Sequence, residues 1–357
     1  MNLFVDYFRE LGRAAVAGWN KFWFTPADIA TLALMRILAG AMLFYTHLVW
    51  LKELETFVAV DGLIPRATVE AFYGERMKWA FTYLWQCDTP TKLYAAHIAG
   101  LVVLAMFTVG LFTRVTAILS FLVTLAYVHR LPGALFGLDQ MNTMLITYLM
   151  LAPCGDAYSI DRWLKGRRAG ERLPPAAPTT SANIAVRLIQ LHMCVIYFFA
   201  GLGKLQGDYW WSGEALWGAV ANLEYQTMDL TWLAHWPVLT AILTQASAYW
   251  ELFFCVLIWP RLLRPLTMAF AIPLHLGIGI GMGLMTFGLI MPVGVMAFTA
   301  PSLVRRLIER NEAAADATRE GQGRGAPTAS PAAAPTEAAS TGKPRPRSSS
   351  RSDKRAG

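Results

Sequence analysis

The chain has 357 residues, 55% of them hydrophobic types and 15% charged, where an average globular protein carries roughly 25% charged residues. This composition excludes a chain that is disordered throughout and argues against a water-soluble domain. The formal net charge is +7, but Arg305–Gly357 alone holds 11 Lys/Arg and 6 Asp/Glu. The basic balance therefore belongs to the tail and gives no ground for a nucleic-acid partner.

Met1–Lys21 carries Asp6, Arg9, Glu10 and Arg13 without a continuous apolar core. It is expected to be an amphipathic surface helix rather than a cleavable signal peptide. Apolar runs of about the length that crosses a bilayer core then follow at 28–50, 93–112, 114–131, 138–153, 184–203, 236–259, 262–283 and 286–304. Pro26, Pro132, Pro153, Pro237, Pro265 and Pro301 fall near their ends, where a missing N–H does least harm. The connections 51–92 and 206–236 are long and aromatic, and short interfacial helices such as 69–85 are expected there. Trp50, Trp85, Trp163, Trp210, Trp211, Trp236 and Trp259 fit a membrane-interface belt, whereas Trp250 sits inside a span. The expected fold is an all-α, polytopic transmembrane helical bundle of about eight spans. It divides into an N-terminal segment (1–23), a transmembrane domain (24–304) and a basic Ala/Pro/Ser-rich tail (305–357) too polar to bury a core. Lys/Arg counts of the short connections place both termini on the cytoplasmic side; the 51–92 loop, with five, argues the other way.

Ionisable residues inside a bilayer cost roughly 2.5–3.5 kcal/mol each on insertion scales, so each needs a reason. In the fifth span Arg187, Gln190, Cys194, Tyr197, Gly201 and Lys204 follow steps of three and four, which puts all six on one helix face. Lys204 then either snorkels to the interface or serves as a partly buried amine, a base in a site open to lipid. In the sixth span Thr240, Thr244, Ser247 and Glu251 share a face. Glu251 has Arg36, Lys204 and His275 as candidate partners, in a structural pair or a functional one. Arg36 and His47 lie three turns apart in the first span on one face with Gly40, and Arg36 is expected to tie helices together. His275 precedes glycines at 277, 279, 281 and 283, which permit close helix contact. Cys87, Cys154, Cys194 and Cys255 form no CxxC pair, and no HxxxH or HExxH is present, so no metal is expected.

The run Tyr197-Phe-Phe-Ala-Gly-Leu-Gly-Lys204-Leu-Gln-Gly-Asp-Tyr-Trp210 resembles the lysine motif of vitamin K-dependent γ-glutamyl carboxylase and its bacterial relatives, the HTTM proteins. Arg36-Ile-Leu-Ala-Gly40, Asp61-Gly-Leu63, Gly110-Leu-Phe-Thr-Arg114, Pro153-Cys-Gly155 and Tyr158-Ser-Ile-Asp161 agree with it, as do Glu251, Arg264, His275 and Phe287 by spacing. The resemblance covers about residues 24–304. It implies that Lys204 deprotonates a reduced lipid quinone, vitamin K hydroquinone or menaquinol, with Glu251 and His275 setting its charge state. In the carboxylase, oxygen then adds, and the alkoxide formed takes a γ-proton from a substrate glutamate. Arg36, His47, Gln190, Tyr197 and Asp156 are expected to line the substrate cavity. Asp156 stands where the carboxylase has a functional His, and no large extramembrane domain follows Val304. These departures favour quinol-linked proton chemistry over carboxylation of a protein glutamate. The alternative is a non-enzymatic membrane factor that assists maturation or export of a secreted peptide. In either case the expected setting is a bacterial inner membrane, with the bilayer and a peptide or protein substrate as partners.

Overall fold

In a computed structural model the described residues, 2–308, are helical with short connections. The expected disorder of the remaining tail lies outside them. The helices are α1 (Asn2–Phe24), α2 (Ala30–Trp50), α3 (Leu54–Val58), α4 (Arg66–Tyr73), α5 (Pro90–Val109), α6 (Thr113–Arg130), α7 (Gly137–Leu151), α8 (Ile160–Ala169), α9 (Thr180–Lys204), α10 (Asp208–Ser212), α11 (Ala215–Val220), α12 (Pro237–Leu257), α13 (Arg264–Gly281) and α14 (Met285–Val295). Local chemistry sets many of these limits. Thr89, Ser159 and Thr179 each accept a backbone N–H as N-caps of α5, α8 and α9. Pro90 and Pro237 stand at the starts of α5 and α12, where no N–H is needed.

Each of the eight expected spans corresponds to one helix: α2, α5, α6, α7, α9, α12, α13 and α14. Among the described residues, four helical stretches are long and apolar enough to cross a membrane: 30–58, 90–109, 180–204 and 237–257. The bent pair 285–298 and 301–308, which turns by 115°, would make a fifth if taken together. Of the other helices in the eight expected spans, α7 and α14 have 15 and 11 residues, short of the roughly 17 a crossing needs. The count of eight therefore describes the helices and not established crossings. An apolar pattern alone does not separate the two, because short buried helices are as apolar as crossing ones.

The closest helix pairs are α9 with α12, α13 with α14, and α2 with α5. Leu32, Met35, Leu145, Ile189, Met193 and Ile290 are buried where α2, α7, α9 and α14 meet. The two long connections contain short helices, as expected: α3 and α4 with 3-10 turns in the first, α10 and α11 with a 3-10 turn in the second. At the far end of the chain Arg305 makes a two-pronged ion pair with Asp28, at 2.7 and 2.9 Å. Arg305 thus belongs to the folded unit, which extends to Ile308, and the start and end of the bundle are tied together.

Several scattered sequence landmarks converge at that same end of the bundle. Arg36 is fully buried and donates to the carbonyls of Cys154 (2.8 Å) and Tyr158 (2.5 Å). Gly110, in the left-handed conformation at φ 74°, turns the chain out of α5; a Cβ there would meet both Ser159 and Arg36. Asp161 accepts from the backbone N–H groups of Phe112 (2.8 Å) and Thr113 (2.7 Å) and from the Thr113 hydroxyl (2.7 Å). These bonds hold Phe112 at φ 48°, a left-handed conformation costly for a residue with a Cβ.

Burial works to raise the pKa of Asp161, but the hydrogen bonds from Thr113 and Phe112 outweigh it and leave the carboxyl below its ordinary value of 3.8. A lowered folded pKa means stability that is present above the unfolded pKa and lost as pH falls through the folded one. Acidification below about pH 4 should therefore weaken this corner. Thermal unfolding in detergent should show a smaller acid-induced loss for Asp161→Asn than for the wild type.

Candidate functional site

The site is built on the contact between α9 and α12. The stripe on α9 faces inward: Gln190, Cys194, Tyr197 and Gly201 are buried, and Arg187 and Lys204 partly so. Gly201 lies directly against Leu252, and any side chain at 201 would collide with its backbone. That approach brings Lys204, one turn further along the same face, beside Glu251, the neighbour of Leu252. The Lys204 ammonium donates to the Glu251 carboxylate. Glu251 has only 6% of its side chain exposed and Lys204 has 22%. The lysine side chain is thus only partly covered. Trp210, beyond the end of α9, places its ring 5.1 Å from Lys204 Nζ, within cation–π range.

The pair adjoins a second polar contact. Tyr197 Oη and His275 Nε2 are hydrogen-bonded at 2.7 Å, both side chains being buried. Tyr197 is clamped between Phe254 and Trp250, with ring centroids 4.3 and 5.0 Å away. Glu251 interacts electrostatically with Tyr197, and Lys204 with His275. His275 Nδ1 and Trp250 Nε1 are buried without a partner. Lys204, Glu251, Tyr197 and His275 therefore form one cluster drawn from α9, α12 and α13. The amine and carboxylate form one hydrogen-bonded pair and the phenol and imidazole another, and groups of these types can store and pass protons.

The remaining expected cavity residues lie elsewhere. Arg36 is a structural tie at the opposite end of its helix from His47. Gln190 accepts from Arg187 (2.8 Å) and donates to the Ala297 carbonyl (2.8 Å), locking α9 to the end of the bundle. Asp156 lies 3.9 Å from Lys165, in a cleft of about 200 Å³ that Arg114 and Arg168 also line. His47 sits among His97 and Tyr127. Three of the eight expected residues thus join Lys204 in one place: Glu251, His275 and Tyr197. Trp210 is the contributor that sequence spacing gave least reason to choose, since the chain turns after Lys204. Among the described residues no group of three or more His, Cys, Asp or Glu is placed to hold a metal ion.

The family model of the HTTM domain matches residues 24–302. The chain belongs to the HTTM domain family. No curated protein and no solved structure is matched. The HTTM match spans α2 to α14 and so includes every residue of the Lys204 cluster. With the apolar helices, it makes this HTTM chain an integral membrane protein.

The tight crossing at Gly201 gives a direct test of how this HTTM site is held. Gly201→Leu should force α9 and α12 apart and separate Lys204 from Glu251. Overpacking of this kind costs about 1–3 kcal/mol. Thermal unfolding should register that loss, while Gly203→Leu, which meets nothing within 4 Å, should leave stability near that of the wild type.

Proposed function

We propose that this protein is a membrane-embedded acid–base catalyst in which Lys204 takes a proton from an acidic hydroxyl on a lipid-borne ring, as in a reduced lipid quinone. The observation that carries this is a lysine paired with a nearly buried carboxylate while its own side chain stays partly exposed. In low dielectric an ion pair loses much of its advantage, because two charges must be stripped of water. The N–H···O bond to Glu251 then offers a path by which the lysine proton passes to the carboxylate. That leaves a lone pair on Nζ for whatever approaches the lysine.

The residues present fit a reduced lipid quinone. The Trp210 indole supplies an aromatic wall beside Nζ, and the buried Tyr197–His275 pair can take up or return a proton next to the ion pair. When bound, such a quinol would supply the acidic hydroxyl, and dioxygen from the air would be the oxidant that takes up the electrons of the quinolate. Lys204 accepts the proton and becomes the cation that balances the quinolate, Glu251 keeps the proton it received from Lys204, and the surrounding aromatic side chains exclude water from Glu251. Menaquinol and vitamin K hydroquinone are the quinols of this class with a naphthalene ring.

We place the protein in a bacterial inner membrane with both ends of the bundle on the cytoplasmic face. The Asp28–Arg305 pair supports a common side for those ends. Arg130, which a simple count assigns to the outer side, is buried and donates to the carbonyls of Val58 (3.0 Å) and Ile64 (2.8 Å), so its vote carries little weight. A peptide substrate would be a further partner of the same site.

The test is turnover. Purified protein in nanodiscs, supplied with menaquinol or vitamin K hydroquinone under air, should consume the quinol measurably faster than empty nanodiscs. The dimethyl ether, which has no hydroxyl proton to give, should stay intact. Quinol loss equal to that in empty nanodiscs would overturn the proposal.

A further inference from the structure

A second polar site lies away from Lys204, between α2, α6 and α7. His97 Nε2 lies 2.9 Å from the His47 carbonyl, which can only accept, so that nitrogen carries the hydrogen. In the neutral ring Nδ1 is then the acceptor for the Tyr127 hydroxyl, at 2.5 Å. His47 follows the same logic. Its Nδ1 lies 2.8 Å from the Leu43 carbonyl and is the donor, which makes Nε2 an acceptor in the neutral ring. That Nε2 is buried and has no partner. The Oδ1 of Asn142 on α7, also an acceptor, is buried without a partner as well. His47 is 6% exposed and Asn142 2%, and both line one small chamber of about 20 Å³.

A larger cleft adjoins the chamber. Val128, Leu135 and Asp139 line both the chamber and this cleft of about 310 Å³. Thr143, Met144 and Thr147 of α7 form the cleft's floor, and His192, bonded to Tyr148 at 2.9 Å, stands at its side. Its lining is mainly apolar. Neither Lys204 nor Glu251 lines either space. A buried acceptor without a donor is costly, and native proteins seldom leave two in one chamber.

We propose that this chamber and cleft bind a lipophilic alcohol. Its hydroxyl occupies the chamber and donates to His47 Nε2 or Asn142 Oδ1, and its hydrocarbon lies in the cleft along α7. Two buried acceptors without donors, His47 Nε2 and Asn142 Oδ1, select a donor and disfavour a carbonyl or an ether, while the mainly apolar cleft selects a molecule that partitions into the membrane. The site is separate from the proposed quinol chemistry and needs no proton transfer.

Native mass spectrometry of the detergent-released protein, using farnesol as probe and farnesyl methyl ether as control, tests this. Farnesol should give a saturable one-to-one adduct, and the ether should bind about tenfold more weakly, the effect of one lost hydrogen bond to a buried acceptor. Asn142→Leu removes an unpartnered acceptor without leaving a void, so it should fold and bind farnesol less well. Thr143→Trp fills the cleft from its partly exposed floor and should abolish the adduct while leaving the chamber untouched. Lys204→Met combined with Glu251→Gln, which removes both charges and keeps most of the volume, should bind farnesol as the wild type does, which separates this site from the catalytic proposal. Equal binding of alcohol and ether would overturn the inference. So would the lack of a saturable adduct in folded protein, the outcome if a single water serves the two acceptors.

Discussion

Lys204→Ala is expected to abolish quinol turnover and to destabilise the protein at the same time. The two effects have different causes and can be separated. Removing the amine leaves the Glu251 carboxylate buried with no cation beside it, and breaking one side of a buried ion pair costs about 3–5 kcal/mol. The loss should appear as a large drop in melting temperature in detergent. Lys204→Met combined with Glu251→Gln removes both charges while keeping most of the volume, and should recover much of that stability. Turnover should stay lost in the double variant, because loss of a positioned base costs roughly 10²–10⁴ in rate. Recovery of stability without recovery of turnover would assign the pair a chemical role beyond joining α9 to α12.

Arg36→Ala should be the most damaging single change outside the site. The guanidinium is fully buried and holds two carbonyls of the 152–159 turn in place. Its loss leaves those acceptors without donors, opens a cavity beneath Gly110, and releases the backbone that Asp161 holds strained at Phe112. Hydrogen bonds from a charged group contribute roughly 1.5–3 kcal/mol each, so a loss of about 4 kcal/mol is expected. Lys, which cannot present two donors at the guanidinium's spacing, should rescue little. Expression yield and thermal unfolding are the measurements, and Arg114→Ala on the neighbouring surface should have a far smaller effect.

Helix positions were legible in the sequence because apolar runs, prolines and capping residues speak for themselves one segment at a time. The polar stripe of α9 was legible for the same reason: Gln190, Tyr197, Gly201 and Lys204 lie on one helix, where spacing alone fixes the face. Glu251 could be placed on a face of α12 but not assigned to Lys204 over Arg36 or His275. That choice depends on the depth at which α9 and α12 cross, which the Gly201–Leu252 contact sets. Arg36 and His47 show the opposite case. They share a face three turns apart, and for that reason they reach different layers of the bundle and cannot belong to one site. His97, Tyr127 and Asn142 were not singled out, since they lie on three different helices, α5, α6 and α7, and only the fold brings them to His47. Crossing number was the weakest inference, because α7 and α14 are apolar without the length.

Chemical rescue addresses the central claim most directly. Nanodisc-embedded Lys204→Ala protein is supplied with quinol and a series of small primary amines of graded basicity. If Nζ is the proton acceptor, turnover returns saturably and rises with amine basicity, while Trp210→Ala and Glu251→Gln alter its extent. Wild-type turnover with no rescue at any amine concentration, or a Lys204→Ala rate equal to that of the wild type, would contradict a base at this position and leave the ion pair as a structural clasp between two helices.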